Sequence, residues 1–352
     1  MASRSVARPG QAVWDAGEVS SPLTSVEPTA TGDAALDGWL RERLTAVEDL
    51  LRASVHSRYG FVTDLARHLI DAGGKRVRPL VVLLAAAAAG GPGRDADAVV
   101  QAAVTIELTH LSTLYHDDVI DEAPLRRGAP SVNSTWGNTL AICGGDFLFA
   151  RAAGITAQLG AEPTRILADT IAVLCEGEMR ESVGPQADED PVEHHLGVLA
   201  EKTGSLFGTS GRLGAMLAGG SSASADLLAA FGARYGVAFQ LSDDLIDVLS
   251  DSGQSGKTPG TDLRAGVPTL PTLLAVRSGD DPRLSALLAA PVAEADVVEA
   301  LTRLRASGGL AQARATLAAE VAAARSVLEP LAASPARAAL ERMADALVSR
   351  TR

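Results

Sequence analysis

The chain has 352 residues, 47 % of them hydrophobic, which is enough to bury a substantial core and excludes a wholly disordered polymer. Its 31 basic and 43 acidic residues give a net charge of −12, so no nucleic-acid partner is expected. Two cysteines, Cys143 and Cys175, cannot build a disulfide framework or a thiolate zinc site, and they fit a reducing, cytoplasmic setting.

Residues 1–32 are rich in Ser, Pro, Thr, Ala and Gly without a sustained hydrophobic period, and read as a flexible N-terminal tail. Their first stretch, MASRSVARPGQ, lacks the apolar region of a secretory signal. Residues 33–352 read as one folded domain. Asp33 is placed to cap a helix on which Leu36, Leu40, Leu44, Val47, Leu50 and Leu51 recur at helical spacing. The apolar run from Leu80 to Ala89 is half the roughly 20 residues of a membrane span. Helical periodicity continues over Val99–Tyr115, Thr139–Leu159, Thr164–Arg180, Val198–Leu217, Asp226–Val248 and Ala311–Leu328. Gly90–Gly91, Gly219–Gly220 and Ser307–Gly308 punctuate these runs. With few alternating stretches, the pattern predicts an all-α fold of roughly ten or more helices.

One repetition stands out. Asp117-Asp118-Val119-Ile120-Asp121 and Asp243-Asp244-Leu245-Ile246-Asp247 share one pattern, 126 positions apart. Within a helix, Asp117 and Asp121 lie one turn apart on one face, as do Asp243 and Asp247. A solvated acidic face would explain one such motif. The flanking Leu114, Val119 and Ile120, and Leu241, Leu245, Ile246, Val248 and Leu249, argue against it, because carboxylates among apolar side chains need partners. Oxygen-only ligation suits Mg²⁺, which is typically held by a few carboxylates together with substrate phosphates. The chain also carries compact basic segments: Lys75-Arg76-Val77-Arg78, Arg126-Arg127, Lys202-Thr203 and Gly256-Lys257. Such a mixture of Arg forks and Lys point charges suits a diphosphate.

In order, GKRVRP, ELTH, DDVID, RRG, GGD, EKTG, FQLSDD and GKTPGTDL make the chain resemble the all-trans polyprenyl (isoprenyl) diphosphate synthases. The resemblance runs from about Leu36 onward, and SVNSTWGNTLAICGGDFLFARA and PGTDLRAGVPTLP look most like medium- and long-chain bacterial members. It implies an isoprenoid synthase-type helical bundle around a deep central cavity, usually a homodimer, with three Mg²⁺ per active site. Asp117, Asp118 and Asp121 would hold Mg²⁺ on the allylic diphosphate, and Asp243, Asp244 and Asp247 a further ion opposite. Arg126, Lys202 and Lys257 would contact the allylic diphosphate. Thr203 and Gln240 would line the reacting centre. Lys75, Arg78, His110 and Arg127 would bind isopentenyl diphosphate. Two positions depart from many relatives: Val267 stands where they have Lys, and Glu181 where they have Gln. Glu181 either faces the metal cluster or sits on the surface near Arg180.

The implied reaction is a Mg²⁺-dependent, sequential 1′-4 condensation of isopentenyl diphosphate onto an allylic diphosphate. Ser112 and Thr113, five and four positions before Asp117, and Thr109 below them would form the floor against which the product grows. In this family bulky aromatics there stop elongation. The small residues here favour a medium- or long-chain product such as a quinone side chain, which could need transient membrane contact for release. A short-chain (farnesyl or geranylgeranyl) synthase is the nearest alternative. A class I terpene cyclase would not need Lys75, Arg78 and Arg127. Glu107-Leu108-Thr109-His110 matches half of a di-iron site, but no other histidine has Glu three residues before it. A non-catalytic subunit could lose carboxylates that this chain keeps.

Overall fold

Several helix starts in this chain are set by side chains that accept a backbone hydrogen bond. Asp33 accepts from the Leu36 amide at 2.9 Å, and Ser131, Asp190, Ser221, Asp281, Ser307 and Ser334 cap later helices in the same way. The computed structural model describes residues 31–90, 96–250 and 259–351. In chain order they form α1 (Ala34–Ser54), α2 (Gly60–Asp71), α3 (Val77–Ala89), α4 (Ala96–Ile120), a hairpin of β1 (Leu125–Arg126) and β2 (Ala129–Pro130), α5 (Val132–Trp136), α6 (Asn138–Leu159), α7 (Ala161–Val183) and α8 (Pro191–Leu199). A π-helical turn, Ala200–Gly204, then leads into α9 (Ser205–Leu217) and α10 (Ser222–Leu249). The remainder is α11 (Thr261–Ala265), α12 (Leu270–Ser278), α13 (Pro282–Leu287), α14 (Val297–Ala306), α15 (Gly308–Leu328) and α16 (Pro335–Ser349).

The all-α expectation holds. Two long helices organise the bundle. α4 packs on α6, α3, α1 and α9; α10 packs on α9, α15, α16 and the π turn. The core is one cluster built mainly from Leu, Val and Ala, with Tyr115, Phe207 and Phe231 its largest fully buried side chains. A chain so poor in aromatics fills the space by bringing helix backbones close together. A Cβ on Gly232 of α10 would lie 2.1 Å from the Phe207 carbonyl of α9.

Three local features differ from the periodicity. The run Val198–Leu217 is interrupted: α8 ends at Leu199 and the backbone takes one π turn before α9. The hairpin is too short to show strand alternation, and it is held by Arg127 (φ 55°) and Gly128 (φ 77°), the two left-handed positions of a tight turn. Residue 31 is also tied to the fold. The Thr31 amide and hydroxyl donate to Asp37 at 2.7 and 2.5 Å, and its carbonyl accepts from Arg342. The rest of the expected tail, residues 1–30, lies outside the described residues.

Candidate active site

The first acidic motif closes α4. Asp117 and Asp118 sit in its last turn and Asp121 just beyond, exposed. Asp118 is fully buried and gripped by Arg126, whose Nε and Nη2 both lie 2.6 Å from Oδ1. Burial raises the pKa of Asp118 and the arginine opposes the rise. Asp117 is pushed up to about 7 by burial, aided by the Glu178 and Asp121 carboxylates and opposed by Lys202. Lys202 projects from the π turn, a backbone form often found at functional sites. Its Nζ lies 2.6 Å from Glu178 and also pairs with Glu181, both on α7. Burial alone would lower the Lys202 pKa, but the carboxylates of Glu181, Asp117 and Glu178 raise it. Glu181 is therefore a partner of Lys202; Arg180 instead pairs with Glu189 and Glu201. Thr203, next to Lys202, is buried.

The hairpin turns consecutive arginines to different partners. Arg126 returns to Asp118, whereas the Arg127 Nη1 donates to the Leu69 carbonyl at 3.0 Å and to the Gly73 carbonyl, with Glu107 at 3.8 Å. Glu107 is 2 % exposed and also accepts from Arg76 at 2.9 Å, which pairs in turn with Glu48. Arg78 stands over the Phe207 ring, 4.6 Å from its centroid, and among the described residues its buried Nε has no hydrogen-bond partner. Burial lowers its pKa to about 10. His110 is kept neutral by burial and by Arg78, Arg127, Arg126 and Arg76. Of the four residues expected to bind isopentenyl diphosphate, Arg78, His110 and Arg127 share this cluster, and Lys75 lies exposed on the loop beside it.

The second motif lies in the last two turns of α10, and its three carboxylates go three ways. Asp243 Oδ1 is 2.9 Å from the Arg350 guanidinium. Asp244 accepts from Gln240 at 3.1 Å and has His195 at 3.5 Å. Asp247 accepts the Thr261 and Asp262 amides at 3.1 and 3.2 Å, which anchors the start of α11. Asp243 also acts on Arg78, which ties this motif to the arginine cluster. Lys257 lies outside the described residues, and Val267 is exposed.

The floor residues divide by helix face. His110, Thr113, Leu114 and Asp117 form a half-buried stripe at helical spacing, whereas Thr109 and Ser112 are fully buried. The Ser112 hydroxyl donates to the Gly145 carbonyl of α6 at 2.7 Å, and the Thr113 hydroxyl donates to the His110 carbonyl within α4.

The donor set suits a hard divalent cation. Among the described residues, Asp118 Oδ2 and Asp244 Oδ2 are buried oxygens without a hydrogen-bond partner, and burial holds Asp117 above the usual carboxylate range although Lys202 opposes the rise. Among the described residues no three His, Cys, Asp or Glu side chains converge as a closed metal site. A cation here would complete its shell with water and substrate phosphate, as Mg²⁺ usually does.

Carboxylates suited to a cation, with Arg76, Arg78, Arg126 and Arg127 on the same all-helical frame, fit an enzyme that handles phosphate esters. Residues 60–304 match the family model for polyprenyl synthetase, and the chain belongs to that family of prenyltransferases. It is 48 % identical over 333 residues to a nonaprenyl diphosphate synthase of Mycobacterium tuberculosis, covering 94 % of this chain and 99 % of the relative. A geranylgeranyl pyrophosphate synthase of Corynebacterium glutamicum, solved with calcium and isoprenyl diphosphate, superimposes with a TM-score of 0.81 at 41 % identity, over 91 % of this chain and 98 % of that one. A decaprenyl diphosphate synthase of Rhodobacter capsulatus gives 0.80 at 33 % identity, over 89 % and 97 %.

Sequence reasoning passed over Glu48, Glu178, His195 and Arg350, and weighed Glu107 only as half of a di-iron site. Glu107 stood inside ELTH, and its pairing with buried arginines could have been suspected from charge balance alone. His195 and Arg350 carry no local signal, because folding alone brings them to the second motif.

Proposed function

We propose that the protein makes a medium- or long-chain all-trans polyprenyl diphosphate by Mg²⁺-dependent, sequential 1′-4 condensation of isopentenyl diphosphate onto an allylic diphosphate. The observation that carries this reading is the pair of acidic helix segments with separate cationic neighbours: Arg126 2.6 Å from Asp118 in the first, and Arg350 2.9 Å from Asp243 in the second. Mg²⁺, three ions in the family pattern, would supply charge stabilisation to the departing diphosphate. Asp117, Asp121 and Asp243 would hold the ions, with the remaining Oδ2 of Asp118 and of Asp244 as further oxygen donors beside them. Lys202 and Arg126 would take the allylic diphosphate as it gains charge. Arg78, Arg127, Lys75 and neutral His110 would orient isopentenyl diphosphate, and Thr203 and Gln240 would flank the reacting carbons. The apolar walls would keep water from the allylic cation.

A homodimer is part of the proposal. α6 has a mean hydropathy of 1.3 over its most apolar window, yet only 33 % of that window is buried. Ile142, Cys143, Ala150, Ala153, Gly154 and Ala157 are exposed along it, a surface a second copy would cover. Both cysteines are free, in keeping with the cytoplasmic setting we propose. Ile120 and Leu125 are exposed beside Asp121 and Arg126, and would allow transient membrane contact as a long product leaves.

The test is a mass spectrum of dephosphorylated products from purified protein, with and without isopentenyl diphosphate and with EDTA. The expected result is a ladder extending beyond geranylgeranyl diphosphate that needs both isopentenyl diphosphate and Mg²⁺. Arrest at farnesyl or geranylgeranyl diphosphate would establish a short-chain synthase, and products without isopentenyl diphosphate a cyclase.

A further inference from the structure

Arg350 directly follows α16, and nothing in the proposed reaction uses it. Its guanidinium nevertheless makes four contacts with one stretch of α10. Nε donates to the Ser242 hydroxyl at 2.6 Å and Nη2 to the Phe239 carbonyl at 3.1 Å. Nη2 also lies 2.9 Å from Asp243 Oδ1, and the group stands 4.8 Å from the centroid of the Phe239 ring. Ser242 in turn donates to the Leu347 carbonyl at 2.9 Å, so the end of α16 is stitched to α10 at the second acidic motif.

We propose that Arg350 is the resident counter-ion of Asp243, a positioning residue that holds this carboxylate until a divalent cation displaces it. The inference rests on the reading of Asp243 as a metal ligand. A guanidinium and a divalent cation cannot share one carboxylate closely without repulsion. Cation loading therefore removes the Arg350 ion pair, while Ser242, the Phe239 carbonyl and its ring keep the side chain nearby. The first motif is arranged differently, since Lys202 has Glu178 and Glu181 as partners of its own. The two motifs thus load against different competitors, and only the second is coupled to the end of α16.

The experiment uses the full chain with Mg²⁺ alone as the probe, by calorimetric titration and by amide hydrogen exchange over residues 347–351. Arg350→Gln keeps a side chain able to hydrogen-bond to Ser242 but removes the charge. It should tighten Mg²⁺ binding by about two- to fivefold, the scale of a partly exposed ion pair. In wild type, Mg²⁺ should speed exchange over residues 347–351; in Arg350→Gln, exchange should already be fast and unresponsive to Mg²⁺. Arg350→Lys keeps the charge and should bind Mg²⁺ like wild type. Unchanged or weaker Mg²⁺ binding by Arg350→Gln, or Arg350→Lys behaving like Arg350→Gln, would overturn the counter-ion role while leaving the metal reading intact. If wild type took up no Mg²⁺ even with inorganic pyrophosphate supplied in place of the substrate phosphate, the metal reading would fall, and this inference with it.

Discussion

The two acidic motifs have the same pattern of five residues and nearly opposite surroundings. The first ends its helix, with Asp121 exposed beyond α4, and the second lies within α10, with Asp247 buried. In each, one carboxylate is taken up by structure, but not the same one. In the first it is Asp118, held by Arg126. In the second it is Asp247, whose two oxygens anchor α11. A repeated motif therefore conveys the kind of chemistry at a site, and the fold around each copy decides which of its members performs it.

The largest effect should come from the leading residues. Asp117→Ala and Asp243→Ala should each lower turnover by about a hundred- to a thousandfold, the scale of removing a group that supports charge in the transition state. Asp247→Asn should cost far less turnover. Its signature should be a loss of about 1 kcal/mol in stability, as for a helix cap. Steady-state rates and thermal melts of all three variants make the check. Equal loss of turnover at Asp247 would dissolve the distinction between the motifs.

The neighbours of the two buried second residues sharpen the contrast. Arg126→Ala leaves the fully buried Asp118 without its cation and should cost about 3 kcal/mol of stability. Gln240→Ala removes one amide hydrogen bond to the Asp244 carboxylate, which keeps His195 nearby, and should cost about 1.5 kcal/mol. Urea denaturation in EDTA compares them, and comparable losses would show that Arg126 is not the main support of Asp118.

Much of this contrast could not be read in the sequence. Helical periodicity located the long helices, and the spacing of Asp117, Asp118 and Asp121 with its copy identified the carboxylate clusters. Local pattern also placed Asp33 at a helix start, because capping acts within three residues. It could not see the π turn, since Lys202 and Thr203 fit the period of one long helix from Val198 to Leu217. Nor could it rank the carboxylates. Arg350 lies 107 residues from Asp243, and Glu181 meets Lys202 across two helices. Those pairings exist only once the bundle has formed, and they decide the electrostatics of the site.

The metal-free protein should also report the strained charge at the first motif. The folded pKa of Asp117, raised by burial to about 7, lies above the unfolded value of about 3.9. Between these values the folded state holds a proton that the unfolded state has released. Stability should therefore fall as pH rises through about 4 to 7 and level off above that window. Asp117→Asn should flatten this dependence. Denaturation midpoints in EDTA across that range are the measurement, and an unchanged slope in the variant would assign the effect to another group.

The smallest effect, a change in product length without loss of the first condensation, depends on which face of α4 meets the growing chain. Ser112 and Thr113 are adjacent in sequence and about 100° apart around the helix. Thr113 shares the stripe of His110 and Asp117, whereas Ser112 points into α6 and bonds the Gly145 carbonyl. The contact is tight there: a Cβ on Gly145 would lie 2.3 Å from His116 Nε2. Ser112→Phe must then push α4 from α6 and should cost about 1–3 kcal/mol of stability, whatever it does to the product. Thr113→Phe can place its ring along the half-buried stripe below Asp117, in space the lengthening prenyl chain would occupy. It should shorten the product with little change in melting temperature, because no carboxylate of either motif is touched. Product ladders at equal substrate ratios, read beside thermal melts, separate the two outcomes. A Thr113→Phe enzyme that keeps the wild-type ladder would move the floor off this stripe. A well-folded Ser112→Phe enzyme with a short ladder would show that α6 yields at Gly145 and that the floor includes the buried face of α4.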